Sequence, residues 1–189
     1  MHIIYGGAFN PPTKAHLNVY HYLKERLEVD SFIYLPVSNA YTKRELASNY
    51  HRLNMLKMMT EDYDDISISN LEIQDSEFLG TYQSLIRISD NLIGECAFVI
   101  GADNLPYLHT WILAESLLSE FKIIVLNRQS NIDQIIEEND MLKKHRHNLI
   151  IFNDFDNPMS STLFRETFDE TMVDEKVWDY ITEHQLYKR

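Results

Sequence analysis

The chain has 189 residues, of which 44% are hydrophobic and 24% charged, as expected of one globular domain with a full apolar core. Acidic residues outnumber basic ones by 29 to 17, and the formal net charge of −12 argues against indiscriminate binding to nucleic acid or anionic membranes. No apolar run has membrane-spanning length and no secretory leader pattern is present. We therefore expect a cytoplasmic protein with neither nucleic-acid nor membrane partners, and the sequence leaves open a homo-oligomer. The single cysteine, Cys96, adjoins an apolar strand and is expected in the core.

Apolar segments alternate with segments of helical periodicity along the chain. Strands are predicted at 2–5, 31–37, 65–68, 96–100, 121–126 and 148–152. Helices are predicted near 14–28, 48–61, 81–93, 103–118, 131–145, 160–170 and 174–184. This alternation predicts an α/β fold, a single domain over residues 1–189, with parallel strands joined by right-handed crossover helices. Such sheets bind ligands beyond the carboxyl ends of their strands.

The N-terminal sequence MHIIYGGAFNPPTKAH leads from the first strand into the first helix through two glycines and two prolines. Glycines permit a sharp turn and leave backbone amides accessible to a ligand. Thr13 and His16 share a face of the first helical turn, where N–H groups and the helix dipole attract phosphate. The segment therefore predicts a phosphate site. The structural alternative is a strand-turn-helix corner with a histidine on a solvent-exposed face.

The two best-known phosphate signatures, G-x-G-x-x-G and G-x-x-x-x-G-K-[ST], are absent. The segment instead resembles the G-x-F-x-P-x-[HT]-x-x-H signature of the nucleotidyltransferase superfamily of adenylyl- and cytidylyltransferases, matching at Gly7, Phe9, Pro11, Thr13 and His16. It departs from the commonest form at Thr13, where many members have His, and at Ala15, where many have Gly. In that superfamily the loop and the last His hold the α- and β-phosphates of a nucleoside triphosphate. The resemblance implies a Rossmann-like doubly wound parallel sheet with a small C-terminal helical part.

The loop after the second strand, from Ser38 to Arg44, carries a basic pair. Together with Tyr50-His51-Arg52, it resembles the P-V-x-x-A-Y-x-K … Y-H-R loop of nicotinamide mononucleotide adenylyltransferases. The resemblance implies that Lys43 contacts the dinucleotide product, whereas the residues alone favour a solvated charged turn. Arg52 is equally compatible with a phosphate contact and with a local ion pair.

The segment Thr81-Tyr82-Gln83-Ser84-Leu85 is similar to the T-x-D-T-L element of nicotinate mononucleotide adenylyltransferases, with Gln83 where Asp is usual. The resemblance implies that Thr81 and Tyr82 line the pyridine ring. A helix N-cap made by Thr81 is a compatible structural interpretation.

Gly101-Ala102-Asp103 and Trp111 resemble the G-x-D-x-x-x-x-x-x-x-W block of the same family. Gly101 allows a ligand to approach the backbone, and Asp103 can accept hydrogen bonds from ribose hydroxyls or cap the next helix. Trp111 offers a flat face to an aromatic ring, although a tryptophan in a helix more often belongs to the core. Arg128, after the fifth strand, matches the V-x-x-R that lies beside the ligand in the family.

Near the C-terminus, Ser160-Ser161-Thr162 opens a predicted helix and Arg165 follows one turn later. The segment resembles I-S-S-T-x-x-R, which in the family grips the triphosphate opposite the first loop. Alone, it would indicate only a capped helix. The residues from 177 to 187 are similar to the closing V-x-x-Y-I-x-x-x-x-L-Y helix, so the resemblance extends along the whole chain.

Taken together, the resemblances imply a pyridine mononucleotide adenylyltransferase, which joins ATP to nicotinate or nicotinamide mononucleotide and releases pyrophosphate. The expected catalytic residues are His16, Thr13 and Arg165. The expected ATP-binding residues are Gly7, Ala8, Phe9, Thr13, His16, Ser161, Thr162 and Arg165. The mononucleotide or product is expected to contact Lys43, Thr81, Tyr82, Gly101, Asp103, Trp111 and Arg128.

Mg²⁺ is expected to bind mainly through the ATP phosphates, without a dedicated protein site. We expect nicotinate mononucleotide to be preferred, although the loop at Lys43 resembles enzymes that use the amide. The alternatives are a transferase acting on flavin mononucleotide or phosphopantetheine, and a non-catalytic nucleotide sensor.

Overall fold

The computed structural model describes residues 1–41, 46–127 and 130–188. Its strands are β1 (His2–Gly7), β2 (Ser31–Pro36), β3 (Ile66–Ile68), β4 (Cys96–Gly101), β5 (Lys122–Leu126) and β6 (Leu149–Phe152). They form one sheet in the order β3-β2-β1-β4-β5-β6. The pairs β1 with β4, β4 with β5, β5 with β6 and β2 with β3 are parallel. This is the strand order of a Rossmann-like doubly wound sheet, and the predicted fold class is confirmed.

The α-helices between and after these strands are short. They are α1 (Lys14–Lys24), α2 (Asn49–Thr60), α3 (Leu71–Gln74), α4 (Thr81–Ser89), α5 (Ala114–Glu120), α6 (Ile132–Glu137), α7 (Asp140–Lys144), α8 (Ser161–Thr167) and α9 (Glu175–Glu183). Turns of 3₁₀ helix cover Asn39–Tyr41, Ala102–Thr110, Arg146–Asn148 and Glu170–Met172. Among the described residues, no helix combines the length and the apolar composition that crossing a bilayer requires.

Strands β4 and β5 are buried because their residues form unbroken apolar runs. In β5, Ile123, Ile124 and Val125 all have 0% exposure, as expected of a strand covered on both faces. Cys96 is also buried, and burial raises the pKa of its thiol. Its predicted place in the core is therefore confirmed.

The chain forms two compact units, each made from two separate stretches. The first unit comprises Met1–Gly6 and Phe78–Asp156, and the second comprises Gly7–Glu77 and Asn157–Arg189. Both predicted phosphate segments belong to the second unit. The segments at 81–85 and 101–111 belong to the first.

The prediction of one helix over 103–118 is wrong. A 3₁₀ helix that contains Pro106 runs from Ala102 to Thr110, and α5 begins only at Ala114. Between them Leu113 has a left-handed backbone conformation, with φ of 57°, which no α-helix can include. Because proline lacks an N–H, the first segment cannot continue as a regular α-helix.

The predicted helix over 131–145 is also interrupted. Helix α6 ends at Glu137, and Asn139 begins α7 by accepting hydrogen bonds from the N–H groups of Met141 and Leu142, both at 3.1 Å. An asparagine that caps a helix in this way stabilises a new start rather than a continuation.

Candidate active site

The loop between β1 and α1 is organised around Phe9, whose side chain is 1% exposed. The Phe9 ring packs edge-on against the rings of His16 and Tyr34, with centroids 5.1 and 5.3 Å apart. Gly7 lies under this ring, because a β-carbon added to Gly7 would lie 3.1 Å from Phe9 Cζ. The space beside Gly7 is therefore filled by the loop's own aromatic ring, which supports His16 from within the core.

Thr13 and His16 are joined at the start of α1, as their spacing predicted. The Thr13 backbone N–H donates to His16 Nδ1 at 2.9 Å, and Thr13 Oγ1 lies 3.0 Å from the same nitrogen. Because a backbone N–H can only donate, Nδ1 must be unprotonated, and the neutral ring carries its proton on Nε2. His16 thus presents an N–H donor whose orientation is set by Thr13.

The charge state of His16 follows from its surroundings. Burial, the largest cause, lowers the pKa of His16 from 6.5 to about 4. At neutral pH the imidazole is therefore neutral. It can act as a hydrogen-bond donor to a ligand, but in the protein without ligand it is not a cation.

Thr13 itself lies behind His16. Its side chain has 0% exposure. A direct contact between Thr13 and a bound phosphate would require the loop to rearrange, whereas its contact with His16 is already formed.

The second predicted phosphate segment contacts the first within the second unit. Ser161 Oγ donates to the carbonyl of Pro11 at 2.7 Å, and Arg165 Nη1 donates to the carbonyl of Asn10 at 2.5 Å. Ser160 caps α8 by accepting a hydrogen bond from the N–H of Leu163 at 3.1 Å. The two segments are therefore in contact, through hydrogen bonds that join residues 150 and 155 positions apart in the sequence.

Arg165 retains donors for a ligand. A guanidinium has five N–H donors, and Arg165 uses one for Asn10 and another, at 3.2 Å, for Thr162 Oγ1. The other three have no partner among the described residues. The side chain is half-buried, so the planar group is held in place while part of it faces solvent. This is a suitable arrangement for binding phosphate oxygens.

Arg52 has a role that the sequence interpretation missed. It has 0% exposure, and it donates to the carbonyls of Ala8 at 2.6 Å, Val37 at 2.5 Å and Ala47 at 3.1 Å. It therefore ties the first loop to the end of β2 and the start of α2 rather than facing a ligand. The signal in the sequence was spacing, because Arg52 lies on the same buried face of α2 as Met55, Leu56 and Met59.

In the first unit, Gly101 and Asp103 are in direct contact. A β-carbon at Gly101 would lie 2.4 Å from Asp103 Oδ1, so any side chain there would displace the carboxylate. The close approach expected at Gly101 is thus made by the chain's own Asp103. That residue is exposed and able to accept hydrogen bonds from a ligand.

The residues next to Thr81 and Trp111, Gly80 and Ile112, are in contact with each other. Gly80, with φ of 99°, precedes α4 and lies so near Ile112 that an added β-carbon would be 2.8 Å from Ile112 Cβ. Gly80, and not Thr81, is the N-cap residue of α4. Trp111 lies outside any helix, is half-buried, and packs its ring edge-on against Phe98 with centroids 6.3 Å apart.

Tyr82 is not brought to the same place. Its hydroxyl donates to Glu120 at 2.9 Å, and its ring packs against Phe121. Both partners immediately precede β5, whereas Gly101 and Asp103 follow the carboxyl end of β4.

Three further predictions concern residues or a metal for which the structure offers no geometry. Lys43 and Arg128 lie outside the described residues. Among the described residues, no group of three or more His, Cys, Asp or Glu side chains could hold a metal ion. The donors at the first and second phosphate segments are hydroxyl, imidazole and guanidinium groups, which suit phosphate oxygens rather than a hard cation.

Comparison with known proteins supports one family over the whole chain. The model of the cytidylyltransferase-like family matches residues 4–167. A protein of Acholeplasma laidlawii named "probable nicotinate-nucleotide adenylyltransferase" is 31% identical, over 100% of this chain and 98% of its own length. One of the same name from Clostridium acetobutylicum is 33% identical, over 97% of each chain.

A solved structure supports the fold. The nicotinic acid mononucleotide adenylyltransferase of Plasmodium falciparum, complexed with NaAD, superposes with a TM-score of 0.75 at 20% identity, covering 98% of this chain and 96% of that one. The extent of the family match, the two joined phosphate segments and the full-length relatives agree. This chain belongs to the cytidylyltransferase-like family, among the nicotinate-nucleotide adenylyltransferases.

Proposed function

We propose that this protein transfers the adenylyl group of ATP to nicotinate mononucleotide, forming deamido-NAD and pyrophosphate. The observation that carries the proposal is the contact between the two predicted phosphate segments. Ser161 donates a hydrogen bond to the carbonyl of Pro11, and Arg165 donates one to the carbonyl of Asn10. The joined segments place a neutral imidazole donor and a guanidinium in one unit. Donors of these two kinds suit a triphosphate chain.

The reaction itself demands little of the protein beyond position and charge. A phosphate oxygen of the mononucleotide forms a bond to the α-phosphorus of ATP, and the bond from that phosphorus to the oxygen bridging to the β-phosphorus breaks. Pyrophosphate leaves with the electron pair of that bond. Because the attacking group is already an anion, no side-chain nucleophile or strong base is required.

We propose that His16 and Arg165 stabilise the negative charge that develops on the phosphates during the reaction. His16 Nε2–H would donate to an α- or β-phosphate oxygen, from a ring already oriented by Thr13. Arg165 would use its remaining donors on the β- and γ-phosphates, with Thr162 beside it. Ser161, whose proton is engaged by Pro11, would contribute mainly by holding the two segments together.

Other residues of the first loop would act by positioning. Thr13 orients His16, and Phe9, seated over Gly7, supports the His16 ring. The Ala8 carbonyl is held by Arg52. This leaves its N–H as the group of Ala8 that could meet a phosphate.

For the mononucleotide, we propose that Asp103 accepts hydrogen bonds from the ribose, with Gly101 leaving room for its carboxylate. The pyridine ring would lie against the exposed part of Trp111, with its substituent near Thr81. A carboxylate at that place can accept hydrogen bonds from N–H and hydroxyl groups of the protein. The NH₂ group of an amide is itself a donor, so it would face those protein donors without forming a hydrogen bond. Lys43 and Arg128 keep their proposed places in this site from the family resemblance. Tyr82, engaged by Glu120, is the weakest member of the group.

Mg²⁺ would reach the site on the phosphates of ATP. The donor set of the described residues does not form a cage for it, so no step of the proposal is assigned to a protein-bound metal. When bound to the phosphates, the ion neutralises charge on the leaving pyrophosphate.

The proposal is tested with purified protein, ATP and each of the two mononucleotides, with pyrophosphate release as the readout. We expect pyrophosphate with both dinucleotide-forming pairs, and a kcat/KM at least about tenfold higher for the nicotinate form, since one mismatched hydrogen bond costs roughly 1–3 kcal/mol. If neither of the two mononucleotides yields pyrophosphate, the activity is excluded. A preference for the amide would make the loop at Lys43 the better guide to specificity.

The role of Arg165 is tested separately. Arg165→Ala is expected to raise the KM for ATP at least about tenfold and to leave the KM for the mononucleotide within twofold. Arg146→Ala, whose guanidinium donates only to the Leu149 carbonyl among the described residues, is the matched control. An unchanged KM for ATP in Arg165→Ala would restrict Arg165 to a structural role.

A further inference from the structure

The turn that follows α9 is held in an unfavourable backbone conformation. Gln185 and Tyr187 have φ of 53° and 62°, left-handed values that non-glycine residues rarely adopt. Such conformations persist where surrounding contacts impose them. For this turn one contact is internal, from the N–H of Leu186 to the carbonyl of Ile181 at 3.0 Å.

The other contact is with Asn10, in the loop between β1 and α1. The Tyr187 hydroxyl donates to Asn10 Oδ1 at 2.8 Å, across 177 residues of sequence. Asn10 Oδ1 also accepts the N–H of Ala47 at 2.9 Å, and Asn10 is 3% exposed. Burial raises the pKa of the Tyr187 hydroxyl, so that it keeps its proton at neutral pH.

The same asparagine holds Arg165 through its backbone carbonyl, at 2.5 Å from Nη1. The Tyr187 ring, in turn, packs edge-on against Phe164, the residue before Arg165, with centroids 6.1 Å apart. Tyr187 therefore braces Arg165 twice, by its hydroxyl through Asn10 and by its ring through Phe164. Asn10, Arg165 and Tyr187 also line one cavity of about 590 Å³, so the space beside the guanidinium is bounded by this arrangement.

We propose that Tyr187 is a positioning residue for adenylyl transfer, which sets the Asn10 peptide and thereby the Arg165 guanidinium in the orientation that binds the ATP phosphates. The inference rests on the proposed function, because it needs Arg165 to contact ATP. Tyr187 need not touch the substrate itself, since its hydroxyl proton is engaged by Asn10.

The test is Tyr187→Phe, which removes the hydroxyl and keeps the ring against Phe164. Loss of one hydrogen bond that orients a ligand-binding group is expected to raise the KM for ATP roughly three- to tenfold. The KM for the mononucleotide should stay within twofold. Tyr63→Phe is the control, because its hydroxyl lies near His21 Nε2 at 3.2 Å, on the surface of the same unit. It should leave both KM values unchanged.

A double-mutant cycle separates this role from a merely structural one. Once Arg165 is replaced by Ala, adding Tyr187→Phe should change the KM for ATP less than twofold, because the group being positioned is gone. Additive effects of the two changes would overturn the inference. So would a Tyr187→Phe protein with a lower melting temperature and an unaltered KM for ATP. If Arg165→Ala alone leaves the KM unchanged, it is the proposed function of Arg165 that fails.

Discussion

Replacing Arg52 with methionine tests how far the first phosphate loop depends on a buried cation. Methionine keeps an unbranched apolar stem of similar reach and removes every donor of the guanidinium. In the native protein these donors serve the backbone carbonyls of Ala8, Val37 and Ala47 and the side-chain oxygens of Asn39 and Asn49, at distances of 2.5 to 3.1 Å. The substitution leaves all five acceptors, three of them backbone carbonyls, facing a side chain that cannot bond to them.

The expected cost follows from counting the three backbone carbonyls. A buried carbonyl left without its donor costs about 1–3 kcal/mol, so three would cost roughly 3–9 kcal/mol if nothing relaxed. Relaxation of the loop and the removal of a buried charge both act against this sum. We therefore expect the low end, about 3–4 kcal/mol. For a chain of this length each kcal/mol lowers the melting temperature by about 2–4 °C, and the shift should be roughly 6–16 °C.

The assay is thermal unfolding of the purified protein, followed by circular dichroism at pH 7. Arg26→Met is the matched control, because Arg26 is exposed and lies over the Tyr22 ring at 3.7 Å. It should lower stability by about 0.5 kcal/mol or less. If Arg52→Met shifted the melting temperature no more than this control, the account of Arg52 as the tie between the loop, β2 and α2 would be wrong.

Three further outcomes are expected. His16→Ala should lower kcat by about 10²–10³, with mononucleotide affinity nearly unchanged, and steady-state rates above half of the wild-type value would contradict the role of its Nε2–H. Because the pKa of His16 falls from 6.5 to about 4 on folding, the unfolded chain binds this proton first as the pH drops. The His16 contribution to stability is thus complete above pH 6.5 and is lost toward pH 4. The difference in unfolding free energy between pH 7 and pH 5 should therefore be smaller for His16→Asn than for the wild type. Equal differences in the two proteins would contradict the lowered pKa of His16. Gly101→Ala should raise the KM for the mononucleotide at least about threefold by displacing the Asp103 carboxylate, and an unchanged KM would separate Asp103 from that ligand.

Much of the fold was predictable because its signals are local. Strands β4 and β5 are continuous apolar runs, and the caps at Ser160 and Asn139 act within three residues of their own helix start. The break between Thr110 and Ala114 was not predictable from periodicity, because Leu113 adopts a left-handed conformation that its own side chain disfavours. No pattern of apolar residues records that conformation.

Part of the geometry of the candidate site was predictable, and most of the contacts that build it were not. The spacing of Thr13 and His16 placed them on one helical turn, but only the structure shows Thr13 behind the imidazole and not beside it. Arg52 and Asn10 bond to partners distant in sequence, and a single sequence carries no mark of such pairs. Cytoplasmic location and any homo-oligomer stay sequence-based predictions.

Under the proposed function, the contact between distant segments in the second unit also determines when the protein can first bind a triphosphate during synthesis. Asn10 leaves the ribosome with the first helix, whereas Arg165 and Tyr187 follow 155 and 177 residues later. At about 5–20 residues per second, the early loop waits roughly 8–35 s for its partners. Until then the nascent chain has its histidine but no guanidinium bonded to the Asn10 carbonyl. Competence to bind a triphosphate should therefore be acquired in one late step, and not gradually, as the chain grows.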